Sequence, residues 1–433
     1  MINLFGVGAK KTIIGALVIG VLAVSGWIYF SGKVSVERQE SEAAANGIWI
    51  SSAELQALPM SGSAWNGLKS AADNSCGTPD LANQEDSANV CVMAKALVFA
   101  RTRQETYRSG VVSALTSVVN SGTYNGRALA LGRELAAYVI SADLIDLKNF
   151  DVALDTSFRA KIRSLLTTPT SGHSGATSLV HCHEDRPNNW GTHCGASRLA
   201  VYAYLGDTAG IARVAQLFKG WLGDRSLYSG FGFRSGELDW QCNPSAPVGI
   251  NPTGCTRDGH SIDGVLPDDQ RRAGGFTWPP PKENYVWEAL QGAVVQAVIL
   301  KRAGYDVFTW ENQALRRAVE WLHSQANFPA VGDDTWTPHL INYYYGTQFP
   351  APVPTSPGKN MGWTDWTHSG SASNSSPTNT SDLNTDGKVD VIDLGILLSS
   401  WGQTTKPKAD INQDAKVDVV DLGILLGKWG SSG

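Results

Sequence analysis

The chain has 433 residues, 42% of them hydrophobic, and a formal net charge of -5 at pH 7. This length and composition predict a globular protein with a large core and more than one domain. The acidic balance and the lack of a basic run exclude a general nucleic-acid binder, which would carry a basic surface. Fifteen tryptophans favour carbohydrate as a ligand, because sugar rings stack on aromatic faces.

The N-terminal segment has the pattern of a membrane anchor. Lys10 and Lys11 precede an uncharged apolar run at residues 12–30, which is long enough to cross a bilayer. The small residues 43–45 lie farther downstream than in most cleaved signal peptides. We therefore expect an uncleaved anchor in residues 1–33, a polar tether in residues 34–47, and a bacterial-type exported body that is extracellular or at the cell surface.

Residues 48–368 are predicted to form a mainly α-helical domain, because apolar residues recur there at three- and four-residue spacing. The predicted helices cover residues 127–147, 196–205, 209–222, 286–302 and 312–324. Repeated antiparallel helix pairs predict an (α/α) toroid or incomplete barrel, with a cleft formed by the loops on one face. A helical solenoid is the alternative, although no fixed repeat period supports it.

The six cysteines form three pairs of near neighbours in sequence, namely Cys76 with Cys91, Cys182 with Cys194, and Cys242 with Cys255. Three short disulfides are typical of an exported protein. The alternative is a metal site built from Cys182, Cys194 and the histidines beside them, although no CxxC pair is present.

Two polar stretches are predicted to form the functional cleft. Residues 181–194 contain three histidines, two carboxylates, one arginine and two asparagines, a set that is costly to bury without partners. Residues 233–281 are rich in Gly, Pro and Asp, and loops of this length are usually functional. A polar inter-helix loop without function is the alternative for the first stretch.

A Ser/Asn/Thr-rich linker at residues 369–380 precedes a tandem repeat, in which the sequence from Asp382 recurs from Asp410. Oxygen-bearing side chains occupy positions 1, 3, 5, 9 and 12 of each copy, with a backbone carbonyl at position 7, as a calcium loop requires. The predicted ligands are Asp382, Asn384, Asp386, Lys388 (carbonyl), Asp390 and Asp393 in the first copy, and Asp410, Asn412, Asp414, Lys416 (carbonyl), Asp418 and Asp421 in the second.

This repeat resembles a type I dockerin over residues 382–430, since each loop is followed by LGILL and a Trp-Gly pair. The resemblance implies an EF-hand-like α-helical module at residues 381–433 that binds structural Ca²⁺ and a cohesin-like protein partner. Two features depart from the family. Ala415 replaces the turn glycine, and loop positions 10 and 11 are the apolar residues 391–392 and 419–420.

Residues 183–207 and 263–297, together with WISSAELQALP at residues 49–59, resemble the alginate and glucuronan lyases built on an (α/α) toroid. The likeness covers roughly residues 48–366 and implies cleavage of an acidic polysaccharide by β-elimination, with no catalytic cofactor. A base removes the C5 proton and the C4 glycosidic oxygen leaves with a proton. Donors and cations must stabilise the enolate that develops beside the uronate carboxylate.

The lyase resemblance assigns roles to a few residues. Asn189, or alternatively Asn188, neutralises the substrate carboxylate; the competing interpretation of Asn189 is a helix N-cap. Arg271 or Arg272 binds a carboxylate, unless it forms a surface ion pair. Tyr285, at the head of a helix, transfers the proton, unless it is a packed aromatic.

A histidine should assist, but Trp190 occupies the position after Asn189 where the family has His. His193 and His260 remain the two candidates. Glu237 is predicted to tune that histidine or to bind substrate. Sugar stacking is predicted for Trp240, Trp278 and the tyrosines at 343–345.

Two other functions are compatible with the sequence. A glycoside hydrolase on the same toroid needs a carboxylate pair, and the candidates are Glu184, Asp185, Glu237, Asp239, Asp268 and Asp269. A non-catalytic sugar-binding protein at the cell surface would bind polysaccharide without turning it over.

Overall fold

The computed structural model describes residues 47–171, 175–370, 381, 383–384, 388–403, 409–411 and 416–429. The chain divides into two compact units, the first ending at Ser369 and the second starting at Gly370. The predicted anchor at residues 1–33 and nearly all of the tether and linker lie outside the described residues. Among the described helices, none has both the length and the apolar character needed to cross a membrane.

The first unit is mainly α-helical, as the sequence predicted. Its helices are α1 (Ser52–Ala57), α2 (Ser63–Asp73), α3 (Ala88–Thr102), α4 (Glu105–Val119), α5 (Ala128–Leu144), α6 (Leu147–Phe150), α7 (Val152–Leu165), α8 (Leu179–Asp185), α9 (Asn189–Leu205), α10 (Thr208–Leu222), α11 (Pro267–Gln270), α12 (Asn284–Arg302), α13 (Trp310–Ser324), α14 (Thr337–Tyr345) and α15 (Thr364–Thr367). Short 3₁₀ turns occur at Arg271–Ala273, Val307–Thr309 and Gly332–Trp336. Strands β1 (Thr256–Arg257) and β2 (His260–Ser261) form an antiparallel hairpin.

Local sequence signals explain several helix ends. Gly206 ends α9 in the left-handed region, at φ 68°, and the side chain of Asp207 caps α10 by accepting a hydrogen bond from the Gly210 amide. Helix α9 starts seven residues before the predicted start, because Asn188 caps it inside the polar stretch. The hydrophobic period alone could not show that early start.

Helix α9 packs between α5 and α12 at very short range. A Cβ atom at Gly132 of α5 would lie 2.8 Å from the Cys194 nitrogen, and one at Gly292 of α12 would lie 2.5 Å from the His193 nitrogen. Side-chain bonds add to these contacts, since Ser197 Oγ donates to the Gly132 carbonyl at 2.7 Å and Gln296 Nε2 donates to the Thr192 carbonyl at 2.9 Å.

The order of these contacts shows that the three helices run in the same direction. Gly132 of α5 contacts Cys194 of α9. One turn later on both helices, the Ala136 amide donates to Ser197 Oγ. Similarly, Gly292 meets the start of α9 and Gln296 meets Gly195. The N-terminal ends of α5, α9 and α12 therefore lie at one end of the unit, where the loops that precede them can meet.

Two of the three predicted disulfides are present, Cys76–Cys91 and Cys242–Cys255. The third pair is not bonded: Cys182 and Cys194 are free and buried, and each thiol donates to a backbone carbonyl at 3.4 Å. Burial, and then the Cys182 side chain, raise the pKa of the Cys194 thiol well above its usual value, so the protonated form is favoured. In the described part of the chain, no group of three or more His, Cys, Asp or Glu side chains is arranged to hold a metal.

The second unit contains α16 (Val391–Ser399) and α17 (Val419–Gly427). Its buried core repeats at equivalent positions of the two copies, namely Leu383 and Ile411, Val389 and Val417, Leu397 and Leu425. The exposed apolar positions repeat in the same way, namely Val391 and Val419, Ile392 and Val420, Leu398 and Leu426, Trp401 and Trp429. The sequence duplication is thus a structural duplication as well.

Candidate functional site: a polar cleft at the start of helix α9

A cleft of about 1060 Å³ opens beside the N-terminus of α9. Its lining comes from three separate stretches, residues 186–190, 232–239 and 268–275, so both of the predicted polar stretches contribute to it. The polar side chains of the lining are Arg186, Arg234, Arg271, Arg272, Glu237, Asp239, Asp268 and Asn188, and Trp190 adds an aromatic surface.

Two consecutive carboxylates fix the start of α9 at the cleft. The Asn188 side chain accepts a hydrogen bond from the Trp190 amide at 3.2 Å and donates to Asp268 Oδ2 at 3.0 Å. The Asn189 amide donates to Asp269 Oδ1 at 3.1 Å. A helix N-terminus favours acceptors and negative charge, so these contacts hold α11 against α9. Asn188, not Asn189, is therefore the N-cap.

Asp269 differs from Asp268 in its surroundings. Its side chain is 1% exposed, and Oδ2 has no hydrogen-bond partner among the described residues. Burial, followed by the neighbouring Asp268 charge, raises the pKa of Asp269 well above its usual value. The neutral carboxyl form is favoured as a result.

Three of the predicted catalytic residues lie together beside the cleft, and one of them, Arg272, lines it. Arg272 Nη1 donates to Asn189 Oδ1 at 3.4 Å, and the guanidinium carbon lies 3.4 Å from the centroid of the Tyr285 ring. The Tyr285 side chain is 38% exposed, whereas Asn189 is buried and its Nδ2 has no partner in the described structure. We name Arg272, Asn189 and Tyr285 the arginine–tyrosine site.

The two candidate arginines have different roles. Arg271 forms ion pairs with Asp268, at 2.8 Å from Nε, and with Glu237, which also pairs with Arg234 at 3.0 Å. Arg271 thus links the 232–239 loop to α11. Arg272 forms no ion pair within the described structure, which leaves its guanidinium available to an anionic ligand.

The structure does not bring the predicted histidines and tryptophans to this site. His193 is fully buried; Nδ1 is bonded to Asn360 Oδ1 and Nε2 lies 3.7 Å from Glu288 Oε2. His260 stacks on Trp278 with ring centroids 4.3 Å apart, and neither lines the cleft. Trp240 is fully buried, so no sugar ring can stack on it.

Core packing explains the position of Trp240. Its indole nitrogen donates to the Gly274 carbonyl at 3.1 Å and its ring packs against Phe276. Of the tyrosines at 343–345, Tyr344 stacks on Phe308 with centroids 4.1 Å apart, and burial raises its pKa and that of its two neighbours. These aromatics are parts of the core or of its edge.

A second polar group lies one helical turn farther into the unit. His193 follows Asn189 by four residues on α9, and Glu288 follows Tyr285 by three residues on α12. Glu288 pairs with Arg133 of α5, which also lies 3.1 Å from Glu85. We name Arg133, His193, Glu288 and Asn360 the buried cluster.

Charge and burial set the protonation of this cluster. Burial alone would raise the pKa of Glu288, but His193 and Arg133 outweigh it and lower that pKa to about 2. Burial is the largest cause that lowers the pKa of His193. Beside the cluster, burial and then Asp86 raise the pKa of Glu134 to about 9, and neither carboxyl oxygen of Glu134 has a partner in the described structure.

Sequence reasoning missed several of these residues. Arg186 and Arg234 line the cleft, and each is a single arginine in a polar loop, a weak signal. Arg133 and Glu288 lie within helices that were predicted from their apolar residues, so their charged side chains were not singled out. Asn360 lies far along the chain in a loop. Only the fold could bring these three side chains together.

In the second unit, part of each predicted calcium loop lies within the described residues. Asp382, Asp386, Asn412 and Asp414 lie outside them. Asp393 accepts the amides of Leu383 at 2.7 Å and Asp390 at 2.8 Å. Its counterpart in the second copy makes the equivalent contacts, because Asp421 accepts the amides of Ile411 and Asp418 at 2.7 and 2.8 Å.

The predicted ligands within the described residues are carboxylate, amide and carbonyl oxygens, a donor set of the kind that a hard cation such as Ca²⁺ prefers. Asp390 and Asp418 also cap α16 and α17, accepting the amides of Ile392 and Val420 at 2.8 and 2.9 Å. Position 9 therefore couples each loop to the helix that follows it.

No protein-family model matches this chain, and no curated protein matches it in sequence.

Proposed function

We propose that the first unit is a polysaccharide lyase that cleaves a uronate-containing polymer by β-elimination in the cleft; the sequence resemblance implies a polymer of the alginate or glucuronan type. We further propose that its helices form an (α/α) toroid. The observation that carries the proposal is the arginine–tyrosine site, in which a guanidinium without an ion pair, an amide and a phenol adjoin one another.

In this proposal Arg272 binds the carboxylate of the uronate ring. Tyr285 takes the C5 proton, the electron pair forms the C4–C5 double bond, and the C4–O bond breaks. Tyr285 acts as the phenolate when it takes the C5 proton, and the phenol so formed then gives that proton to the leaving oxygen. Arg272 stabilises the negative charge that grows on the carboxylate, and the buried Asn189 positions Arg272 by accepting a hydrogen bond from its guanidinium.

The pairing of the cleft carboxylates favours a lyase over a hydrolase. Glu184 is held by Arg198 and Arg213, at 3.0 and 3.3 Å, and Glu237 is held by two arginines. Asp268 is bound to Arg271, and Asp269 is buried. An inverting or retaining hydrolase needs two opposed carboxylates that both reach the sugar. In the described chain, Asp239 is the lining carboxylate without an ion pair, so a second free carboxylate for hydrolysis is missing from the lining.

The experiment incubates the purified protein with uronate polymers and follows ultraviolet absorbance, which rises when an unsaturated uronide forms. New reducing ends without that absorbance would indicate a hydrolase. Binding without either product would indicate a sugar-binding protein.

The same assay tests Tyr285. Tyr285→Phe keeps the ring against Arg272 and removes the hydroxyl, so we expect turnover to fall by roughly 10³-fold with little change in affinity. Tyr202→Phe is the matched control, because the Tyr202 ring also lies beside an arginine, 5.4 Å from Arg198, but about three turns along α9 from Asn189. Full activity in Tyr285→Phe would remove Tyr285 from the mechanism.

For the second unit we propose a calcium-dependent docking module that binds a cohesin-like protein. The duplicated exposed residues support it, since Val391 and Val419 are 69% and 67% exposed, and Trp401 and Trp429 are 45% and 47% exposed. Apolar surface of this kind on a small module is typical of a protein contact. With the predicted anchor and the two disulfides, we propose that the protein acts outside the cell or at its surface.

A further inference from the structure

The charges in the cleft limit which polymer it can bind. Four arginines line it, Arg186, Arg234, Arg271 and Arg272. A groove that binds a chain with one carboxylate on every ring is expected to present a strong excess of positive charge. The described structure shows instead that most of this positive charge is already neutralised.

Three of the arginines are paired. Arg186 lies 3.1 Å from Asp185, Arg234 lies 3.0 Å from Glu237, and Arg271 is bound by both Glu237 and Asp268. The pair formed by Arg271 and Asp268 is also shielded, because their side chains are 12% and 3% exposed. A substrate carboxylate beside any of these arginines would have to compete with a protein carboxylate already in place.

Two charges of the lining remain without an ion pair in the described chain, and they have opposite signs. Arg272 is the cation of the arginine–tyrosine site. Asp239 is exposed, and its Oδ2 lies close to Gly275 on the same wall of the cleft, since a Cβ atom there would lie 3.0 Å from it. One position thus attracts a carboxylate while another repels one.

We infer that the substrate is a heteropolysaccharide in which single uronic acids are separated by uncharged sugars. This inference rests on the proposed elimination reaction. Arg272 binds the one uronate at the site of cleavage, and the charge-balanced remainder of the cleft binds the hydroxyl and amide groups of the neighbouring uncharged rings. A homopolyuronate would place additional carboxylates against Glu237 and Asp239.

The test compares two groups of polymers at low ionic strength by the initial rate of ultraviolet absorbance. Hyaluronan, unsulfated chondroitin and deacylated gellan carry isolated glucuronates, whereas polymannuronate, polyguluronate and polyglucuronate carry a carboxylate on every ring. We expect the best substrate of the first group to exceed every member of the second by at least about tenfold in kcat/KM. A homopolymer cleaved as fast as the best heteropolymer would overturn the inference and leave the proposed lyase intact. No unsaturated product from any of the six would overturn both.

A charge-neutralising variant sharpens this test. Asp239→Asn should raise kcat/KM on polyglucuronate by roughly threefold to fivefold at low salt, and the gain should disappear at high salt, where charges are screened. The rate on the best heteropolymer should change less than twofold. Glu320→Gln is the matched control: Glu320 is exposed on α13 and forms no ion pair in the described chain, so this equal charge change should move neither rate. An unchanged substrate ratio in Asp239→Asn would contradict the inference.

Discussion

The arginine–tyrosine site and the buried cluster lie one helical turn apart on the same helices and use similar residue types. In the buried cluster Arg133 is 5% exposed and pairs with two glutamates, and His193 is closed off from solvent. In the cleft Arg272 is exposed and has no carboxylate partner in the described structure. The difference indicates that the buried cluster, whose charges are paired, holds the helix ends in place. The arginine–tyrosine site, whose guanidinium has no ion pair, is available for a substrate.

Removing the cleft cation is expected to give the largest effect. Arg272→Gln should lower kcat/KM by roughly 10²- to 10³-fold, because no other unpaired cation of the lining can stabilise the developing charge. The melting temperature should change little, since Arg272 has no ion pair to lose. Arg271→Gln is the informative neighbour: it should lower the melting temperature and reduce activity less. Equal losses of activity in the two variants would contradict the division of roles.

Removing one charge from the buried cluster should affect stability instead. Glu288→Gln leaves Arg133 without its closest partner, and we expect a loss of about 3 kcal/mol in the free energy of unfolding. Turnover by the folded fraction should stay within about twofold. Denaturant unfolding and steady-state kinetics on the same sample separate the two quantities.

The pH dependence of stability provides a check on Glu288. Its folded-state pKa of about 2 lies below the unfolded value, so its contribution is present above pH ~4.5 and is lost as the pH falls towards 2. Glu288→Gln should therefore unfold with less dependence on pH over that range. Parallel acid-unfolding curves for the wild type and the variant would refute the pairing.

Calcium is expected to act on the second unit alone. At about one hundred times its dissociation constant, a ligand that binds only the folded state adds roughly 2.7 kcal/mol to stability. Chelation should thus lower the melting temperature of residues 381–429 and leave lyase activity unchanged. Asp393→Ala should abolish the response of the first loop, and Asp421→Ala that of the second. Loss of activity on chelation would instead favour a catalytic metal in the first unit.

Neutralising Glu134 should give the smallest effect, and it should be stabilising. The pKa of Glu134 is raised to about 9 in the folded protein. As the pH rises from ~4.5 towards 9, the unfolded chain releases a proton that the folded protein retains, so the wild type loses stability. Glu134→Gln resembles the protonated side chain and should raise stability by at least about 1 kcal/mol at pH 8, with no gain at pH 4. Thermal unfolding at both pH values measures the difference.

Sequence patterns predicted the parts of the fold that depend on local signals. The hydrophobic spacing located α5, α9, α10, α12 and α13, and the predicted helix end at residue 205 is correct. The duplicated tail was visible in sequence because each copy repeats the same buried and exposed positions.

The site itself was only partly accessible from sequence. The resemblance to lyases suggested Asn189, Arg272 and Tyr285, which the fold brings together, but the choice between Arg271 and Arg272 depended on Glu237 and Asp268. Partners 34 or 80 residues apart in the chain, such as Arg271 with Glu237 and Asn188 with Asp268, follow from tertiary packing. The burial of His193 likewise depends on how closely α5 and α12 approach α9.

The link from Arg271 to Glu237 has a practical consequence for engineering. Residues 232–239 line one part of the cleft, and the Arg271 guanidinium, shared by Glu237 and Asp268, joins this loop to α11. A grafted loop that keeps a carboxylate at position 237 should therefore form the same ion pair with Arg271. New sugar preferences can then be selected in a library that leaves the three parallel helices untouched.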